Sequence, residues 1–335
     1  MILVTGGTGL VGAHLLLHLL QKGHKVRATH RKGSDLKRVE HVFSYYTGNA
    51  SELFNTIDWV EADITDIPAL EFAFIDIEYV YHCAALISFD PRDYYKLRNI
   101  NTKGTANIVN LCLANNIKKL GYISSIATLG KSEATVHVNE ETEWSDAEVN
   151  VYALTKYAAE IEVWRGTQEG LNAVTINPGV ILGSGFWHSG SGLFFKQVAK
   201  GLPMYPPGGT GFVSVQDVVK MIAQLMESDI KNQRFIAVNK NLKHKEILSK
   251  IAKNLGKPSN KKTLKFWQLR AYSRFDFLID FITRRGRKLT KKGVNALKRQ
   301  EIYSNEKIKN TINFTFDDLD KEIAFISSKY QEELP

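Results

Sequence analysis

The sequence predicts an α/β fold, a doubly wound parallel sheet of the Rossmann type with a smaller C-terminal lobe. Three observations predict it. The chain opens on an apolar strand that runs through a glycine-rich turn into a helix, ILVTGGTGLVGAHLLLHLL. Short apolar runs then alternate with helical patterns. Those runs end in small or polar residues, as strands do where they face a ligand crevice.

The elements follow in order. ILV is the first strand, GGTGLVG the turn, and AHLLLHLLQKG a helix that stops at Gly23. HKVRATH is the second strand, which completes a β-α-β unit. Gly6, Gly9 and Gly12 fall three apart in the turn. One permits the tight bend, one lets backbone approach a pyrophosphate, and one lets helix pack on strand. With Thr8, Leu10 and Val11 they form a candidate cofactor cradle, and the helix start offers free N–H groups to phosphate.

The end of the second strand bears on which dinucleotide is taken. A free ribose 2′-hydroxyl usually meets an acid there. Here stand His30, Arg31 and Lys32. A guanidinium clamps a 2′-phosphate that a carboxylate would repel, so NADP is expected. Asp35, slightly further on, keeps NAD open.

DWVEADITD, EYVYHCAAL, KKLGYISSIATLG and NAVTINPGVILG are the later strands. They end respectively at Asp63 and Ile64, at Ala84 and Ala85, at Ser124 and Ser125, and at Asn177, Pro178 and Gly179. Tyr152 and Lys156, four apart in YALTKYAAEIEV, share one helix face. Alone, that pair is as ordinary as any surface helix. With the cradle and the strand-end serines, it makes a hydroxyl, a phenol and an ammonium facing one crevice.

The remaining composition narrows the class. The chain has 335 residues, 44% hydrophobic and 24% charged. Two cysteines, Cys83 and Cys112, are too few for a disulfide framework or a thiolate metal site. No metal is expected, and no signal peptide or long apolar run is seen, so a cytoplasmic location is expected. Between Lys257 and Arg299 stand 14 Lys or Arg against two acids, so the net charge of +9 belongs to that region.

The motifs TGGTGLVG, DITD, HCAAL, NTKGTANIV, YISSIATLG, YALTK and INPGVILG, in this order, resemble the extended short-chain dehydrogenase/reductases of the NAD-dependent epimerase/dehydratase superfamily. The resemblance spans most of residues 1–185, and GFVSVQDVV and RFIAVN extend it. Within that family the chain looks most like the dihydroflavonol reductase and 3β-hydroxysteroid dehydrogenase-like branch.

The resemblance implies an enzyme that reduces a ketone or aldehyde with NADPH. Tyr152 would supply the proton. Ser125, chosen over Ser124 by the family's spacing, would bond the substrate oxygen. Lys156 would hold the nicotinamide ribose and lower the Tyr152 pKa from its usual ~10. Asn101 would help position Lys156, or else make a structural hydrogen bond. Asp63 and Ile64 would flank the adenine, and Ala84, Ala85 and Leu86 would pass beneath the cofactor. Ile123, Pro178, Gly179 and Val180 would complete the nicotinamide end.

Two rivals stay open: an NAD-dependent nucleotide-sugar epimerase of the same fold, and an NADP-binding regulator without catalysis. A dehydratase fits less well, because that branch places an Asp-Glu pair where this chain has Ile126-Ala127. The substrate pocket is expected at Ser88 and Phe89 and around Phe186, Trp187 and Phe194, whose other reading is plain packing.

The domain division expected is residues 1–180 for the dinucleotide-binding domain and 181–335 for a mixed α/β substrate lobe, whose strands are free to return to the first sheet. The family resemblance also implies a homodimer in which the Tyr152 helix and the DYYKLRNINTKGTANIVNLCLA helix pair with their symmetry mates; Val109, Leu113 and Ile161 suit that interface or equally the core. In residues 264–292, Leu264, Trp267, Ala271, Phe275, Leu278 and Ile282 form a helical stripe. Phe266, Phe277 and Phe281 lie beside arginines, a pattern that would suit peripheral contact with anionic lipid or a lid. No nucleic-acid motif is present.

Overall fold

The computed structural model describes residues 1–130, 137–145, 149–259, 261–271, 273, 294 and 301–334. Phe275, Leu278 and Ile282 of the 264–292 stripe, and Phe277 and Phe281 beside it, therefore lie outside the described residues.

The main sheet has seven strands, all parallel. In chain order the strands are β1 (Ile2–Thr5), β2 (Val26–His30), β3 (Asp58–Glu61), β4 (Tyr79–His82), β5 (Lys119–Ile123), β6 (His137–Val138), β7 (Ala173–Pro178), β8 (Val180–Leu182), β9 (Gly209–Ser214), β10 (Gln233–Ala237), β11 (Lys240–Lys243) and β12 (Ile302–Tyr303). The spatial order of the main sheet is β10-β7-β5-β4-β1-β2-β3. The order reverses at β1, so β1 and β4 flank the switch point where α/β sheets take their ligands. A second sheet, β11-β9-β8, and a pair, β12-β6, build the smaller lobe and its join to the first sheet.

Helices α1 (Leu10–Gln21), α2 (Leu36–Ser44), α3 (Ala50–Asn55), α4 (Ile67–Ala73), α5 (Tyr94–Leu97), α6 (Gly104–Ala114), α7 (Val151–Gln168), α8 (Gly192–Ala199), α9 (Val215–Glu227) and α10 (His244–Asn254) follow the chain. A π-helical segment, Arg98–Lys103, joins α5 to α6. Two further helices, Glu306–Ile312 and Leu319–Glu333, close the described chain.

Each sheet face carries its own core. On one face α1 buries Leu15, Leu16 and Leu19 against Val218 and Ile222 of α9. On the other, Leu70 of α4, Ile108 and Val109 of α6 and Ala159 and Val163 of α7 pack together. The strands read as apolar runs because both of their faces are covered. The division near residue 180 is crossed by the chain: α9 packs against α1, and β10 returns as the edge strand beside β7. The smaller lobe keeps a separate core of Leu182, Trp187, Phe195, Phe212, Ile251, Ile323 and Tyr330. Among the described residues, no helix is long and apolar enough to cross a membrane.

Candidate active site

The glycine turn between β1 and α1 is shaped by contacts that admit no side chain. Gly6 has φ +71°, and a Cβ there would stand 2.7 Å from the Ala84 backbone at the end of β4. A Cβ on Gly12 would stand 2.1 Å from the Gly6 carbonyl oxygen. That carbonyl accepts the Gly9 N–H at 3.0 Å. Gly9 caps α1 without a side-chain bond, and the first turn holds no acid. The helix start therefore presents N–H groups and a positive dipole end with nothing anionic beside them. These features fit a dinucleotide pyrophosphate. Thr8, Leu10 and Val11 are half-buried along the same turn.

At the tip of β2, Arg31 and Lys32 are exposed. The Arg31 N–H donates to the Ser34 hydroxyl at 3.2 Å, and Gly33 turns the chain with φ +75°. Asp35 is the N-cap of α2, accepting the Arg38 N–H at 3.2 Å, and pairs with the Arg38 side chain at 3.3 Å. Its carboxylate thus already has a structural task, while both cations at the strand end remain exposed. Asp63 makes a local turn, accepting from the Thr65 N–H and hydroxyl at 2.9 and 2.7 Å. Ile64 is buried against Gly104, where a Cβ would stand 2.6 Å from its Cδ1.

The catalytic candidates meet beyond the C-terminal ends of β4 and β5. Helix α7 starts at an Asn150 cap that accepts the Ala153 N–H at 2.8 Å. This cap places Tyr152 in the first turn and Lys156 one turn later. Ser125 follows β5 in extended conformation and caps a short 3-10 turn, its hydroxyl accepting the Ala127 N–H at 3.1 Å. The Ser125 hydroxyl also lies on the Tyr152 side, where it favours the ionised phenol. Ser124 points the other way, donating to Glu160 at 2.5 Å. Lys156 is 2% exposed, and its Nζ donates to the Tyr122 phenol oxygen at 2.7 Å and the Ile123 carbonyl at 2.9 Å.

Comparison with known proteins places the chain in a family. The family model described as "NAD dependent epimerase/dehydratase family" matches residues 2–238. The chain belongs to that family. Tetraketide alpha-pyrone reductase 2 of Arabidopsis thaliana is 30% identical over 249 residues, covering 70% of this chain and 76% of the relative. Dihydroflavonol 4-reductase of Gerbera hybrida is 29% identical over 191 residues, covering 54% and 51%. Among solved structures, the crystal structure of gox2253 superposes with a TM-score of 0.83 at 24% identity, covering 100% of this chain and 98% of that one. The protein is an extended short-chain dehydrogenase/reductase, an NAD(P)-dependent enzyme.

In this family member the electrostatics of the dyad differ from the expected scheme. Burial pushes the Tyr152 phenol up to about 12, with the neighbouring Ser125 hydroxyl acting the other way. Lys156 does not pull it down, because its ammonium is turned to Tyr122 and Ile123. Burial brings Lys156 itself down to about 7, opposed by the Glu160 carboxylate.

Asn101 is 1% exposed within the π-helical segment, and its amide is fully engaged. Its Oδ1 accepts the Leu86 N–H at 2.7 Å, and its Nδ2 donates to the Leu86 carbonyl at 3.0 Å and the Thr155 hydroxyl at 3.2 Å. It pins the chain after β4 to the helix that carries Lys156. Ala84 and Leu86 are half-buried along that pinned stretch and Ala85 is exposed.

Sequence reasoning gave no role to His82, Tyr122 or Glu160. His82 is fully buried, 2.7 Å from the Thr5 hydroxyl and 2.9 Å from that of Thr105. Thr105 spends its proton on the Asn101 carbonyl, so His82 Nε2 donates to Thr105. Burial, aided by Lys156, takes His82 down to about 3, so the ring is neutral and its Nδ1 accepts from the Thr5 hydroxyl. Its ring stacks on Tyr122 at 5.5 Å. Glu160 had a signal in the sequence: it lies four after Lys156 and eight after Tyr152, on their face.

The expected substrate residues separate. Phe89 is exposed and stands edge-on to Tyr152, with ring centroids 5.7 Å apart. The Ser88 hydroxyl donates to Asp93 at 2.5 Å and fixes the loop behind Phe89. Trp187 is buried against Phe195 and Tyr330 and donates to Glu333 at 2.9 Å. Phe186 is buried beneath Arg38, and Phe194 packs on the small-lobe core. Trp187 and Phe194 thus pack with the small-lobe core, and Phe186 with the core of the main sheet. Pro178 ends β7, and Gly179 and Val180 start the crossing to β9, where a Gly179 Cβ would meet the Gly211 carbonyl at 2.4 Å.

Proposed function

We propose that the enzyme reduces the carbonyl of a bulky, partly apolar ketone or aldehyde to an alcohol, using NADPH. The observation that carries this reading is the Tyr152 ring edge-on to the exposed Phe89, on the same helix face as Lys156 and with the Ser125 hydroxyl near its phenol. A proton donor, an oxygen-positioning hydroxyl and an apolar wall stand together beside the glycine cradle.

The cradle of Gly6, Gly9 and Gly12 would hold the pyrophosphate, Arg31 and Lys32 the 2′-phosphate, and Lys156 the nicotinamide ribose. When bound, the reduced nicotinamide supplies hydride to the carbonyl carbon. Ser125 keeps the substrate oxygen in place. Tyr152 gives that oxygen its phenolic proton, which water then restores. A phenol held near 12 stays protonated at neutral pH, which suits proton donation and hence the reductive direction. Asn101 and Asn150 keep the loop after β4 and the start of α7 in register with this site.

Two features favour NADPH over NAD: the exposed Arg31 and Lys32, and an Asp35 already committed to the α2 cap. The test is NADPH oxidation over a panel of aromatic and alicyclic ketones and aldehydes, with NADH in parallel. Turnover with NADPH that disappears in Tyr152→Phe is expected. Stoichiometric NAD that survives purification without exchanging, with activity on a nucleotide-sugar, would replace this reading by epimerisation.

A further inference from the structure

Tyr152, Lys156 and Glu160 line one face of α7, and the third of them has no part in the reaction just described. Glu160 is 1% exposed, and it is a hub. Its Oε2 accepts from the Ser124 hydroxyl at 2.5 Å, the Thr128 hydroxyl at 2.8 Å and the Asn177 amide at 2.9 Å. Its Oε1 accepts from Arg234 at 3.3 Å and Trp164 at 3.4 Å. A buried carboxylate persists only when its lone pairs are filled and a cation is near, and both conditions hold here.

The donors are not scattered. Ser124 precedes Ser125, and Thr128 closes the 3-10 turn that Ser125 caps. The Thr128 hydroxyl lies 2.8 Å from both Glu160 and the Ser125 carbonyl, and Asn177 reaches that same carbonyl at 3.2 Å. The turn that presents the Ser125 hydroxyl is thus tied on both sides to one carboxylate of α7.

We propose that Glu160 is a positioning residue for the active site: it fixes the Ser125 turn against α7 and places a carboxylate one helical turn from the Lys156 ammonium. This rests on reading Ser125, Tyr152 and Lys156 as the proton-transfer site.

The charges around the pair support the second part. Lys156 is faced by His82 and Cys83 from the end of β4, by Tyr122 from β5, and by Tyr152 and Glu160 on its own helix. His82 is neutral, and burial holds the Cys83 thiol up to about 12, so it too is neutral. Burial holds both phenols up as well. Glu160 is then the anion that opposes the burial of Lys156. Arg234, arriving from β10 and anchored on the Glu140 carbonyl, faces the far oxygen of Glu160. It balances the carboxylate from the side away from Ser124.

The experiment reads Lys156 without substrate or cofactor. Competitive acylation of the purified protein across pH, with Lys156 followed by mass spectrometry, gives its titration midpoint. In Glu160→Gln that midpoint should fall by about one pH unit, and in Glu160→Asp it should return toward the parent value. With an active carbonyl substrate, the Gln variant should lose about tenfold in kcat, its basic limb moving to lower pH. A folded Gln variant with an unchanged Lys156 midpoint and pH profile overturns the proposal, even if it has lost thermal stability. If the Gln variant does not fold, Ser124→Ala with Thr128→Val carries the test. That pair should lower kcat about tenfold at unchanged NADPH affinity, and parental kcat would overturn the positioning role. Failure of the reductase reading shows separately, as full turnover in Tyr152→Phe.

Discussion

The Lys156 ammonium donates to the Tyr122 phenol oxygen at 2.7 Å and stands 4.4 Å from the centre of that ring. The active-site cation thus rests on β5, beside the carbonyl of Ile123, and not against Tyr152. From there it can turn to a ribose hydroxyl without leaving the end of the strand. Because burial brings Lys156 down to about 7, its charge is lost as pH rises through neutrality in the cofactor-free enzyme. NADPH affinity should therefore weaken above about pH 7, and Lys156→Met should flatten that dependence. Fluorescence titration of NADPH at several pH values checks both, and a pH-independent affinity in the parent enzyme would count against a ribose role.

Tyr152→Phe removes the proton donor and keeps the ring that packs on Phe89. The expected loss in kcat is about 10²–10⁴, the usual worth of a general acid. NADPH binding should stay near the parental value, because the glycine cradle and Lys156 are untouched. Turnover near the parental rate would remove Tyr152 from the mechanism.

The sheet and its crevice were legible in the sequence because they rest on local signals. Apolar runs, a glycine triplet and strand-end serines each report on their own neighbourhood. The order of chemistry around Ser125 was less legible. Whether Ser124 or Ser125 faces the crevice depends on the backbone turn after β5, and the turn depends on Glu160, which is 36 residues from Ser124 in the chain. The setting of Phe186 and Trp187 was illegible for a similar reason. The burial of Trp187 is decided by the terminal helix Leu319–Glu333, which supplies Tyr330 and Glu333, and Phe186 joins the main-sheet core that also holds Val42. Periodicity within a segment says which face is apolar and not what will cover it. Val109, which the sequence left open between a dimer surface and the core, is fully buried against Gly166.

Arg31→Ala should weaken NADPH binding by about 1–3 kcal/mol, the range for a hydrogen bond to a charged group, and leave NADH binding nearly unchanged. Lys32 shares the exposed strand end, so the double variant should lose more than either single one. Equal losses for the two cofactors would refute the clamp.

Helix α7 leaves Leu154 and Ile161 at 36% and 45% exposure, seven apart on one face. Two turns of exposed apolar surface on a helix that also carries the active site suit pairing with a symmetry mate. Sedimentation at micromolar concentration should show a dimer, and Ile161→Lys should shift it toward monomer. A monomeric parent protein would end the pairing argument.

His82 makes the sharpest prediction for stability against pH. In the unfolded chain a histidine titrates near ~6.5. In the fold, burial between Thr5, Thr105 and Tyr122 takes it down to about 3, and His14, buried in α1, goes down to about 4. Between those values and 6.5 the unfolded state binds more protons than the native one. Stability therefore falls as pH drops through 6.5, and the loss levels off only near 3. Replacing His82 by Gln keeps a donor and an acceptor for the two threonines and removes the titration. Urea unfolding at pH 7 and pH 5 should show a gap in stability that narrows by about 1–3 kcal/mol in His82→Gln, with the remainder due to His14 and other groups. An unchanged gap would mean that the buried imidazole already shares its fold-state protonation with the unfolded chain, and the role of Nδ1 as acceptor from Thr5 would fall with it.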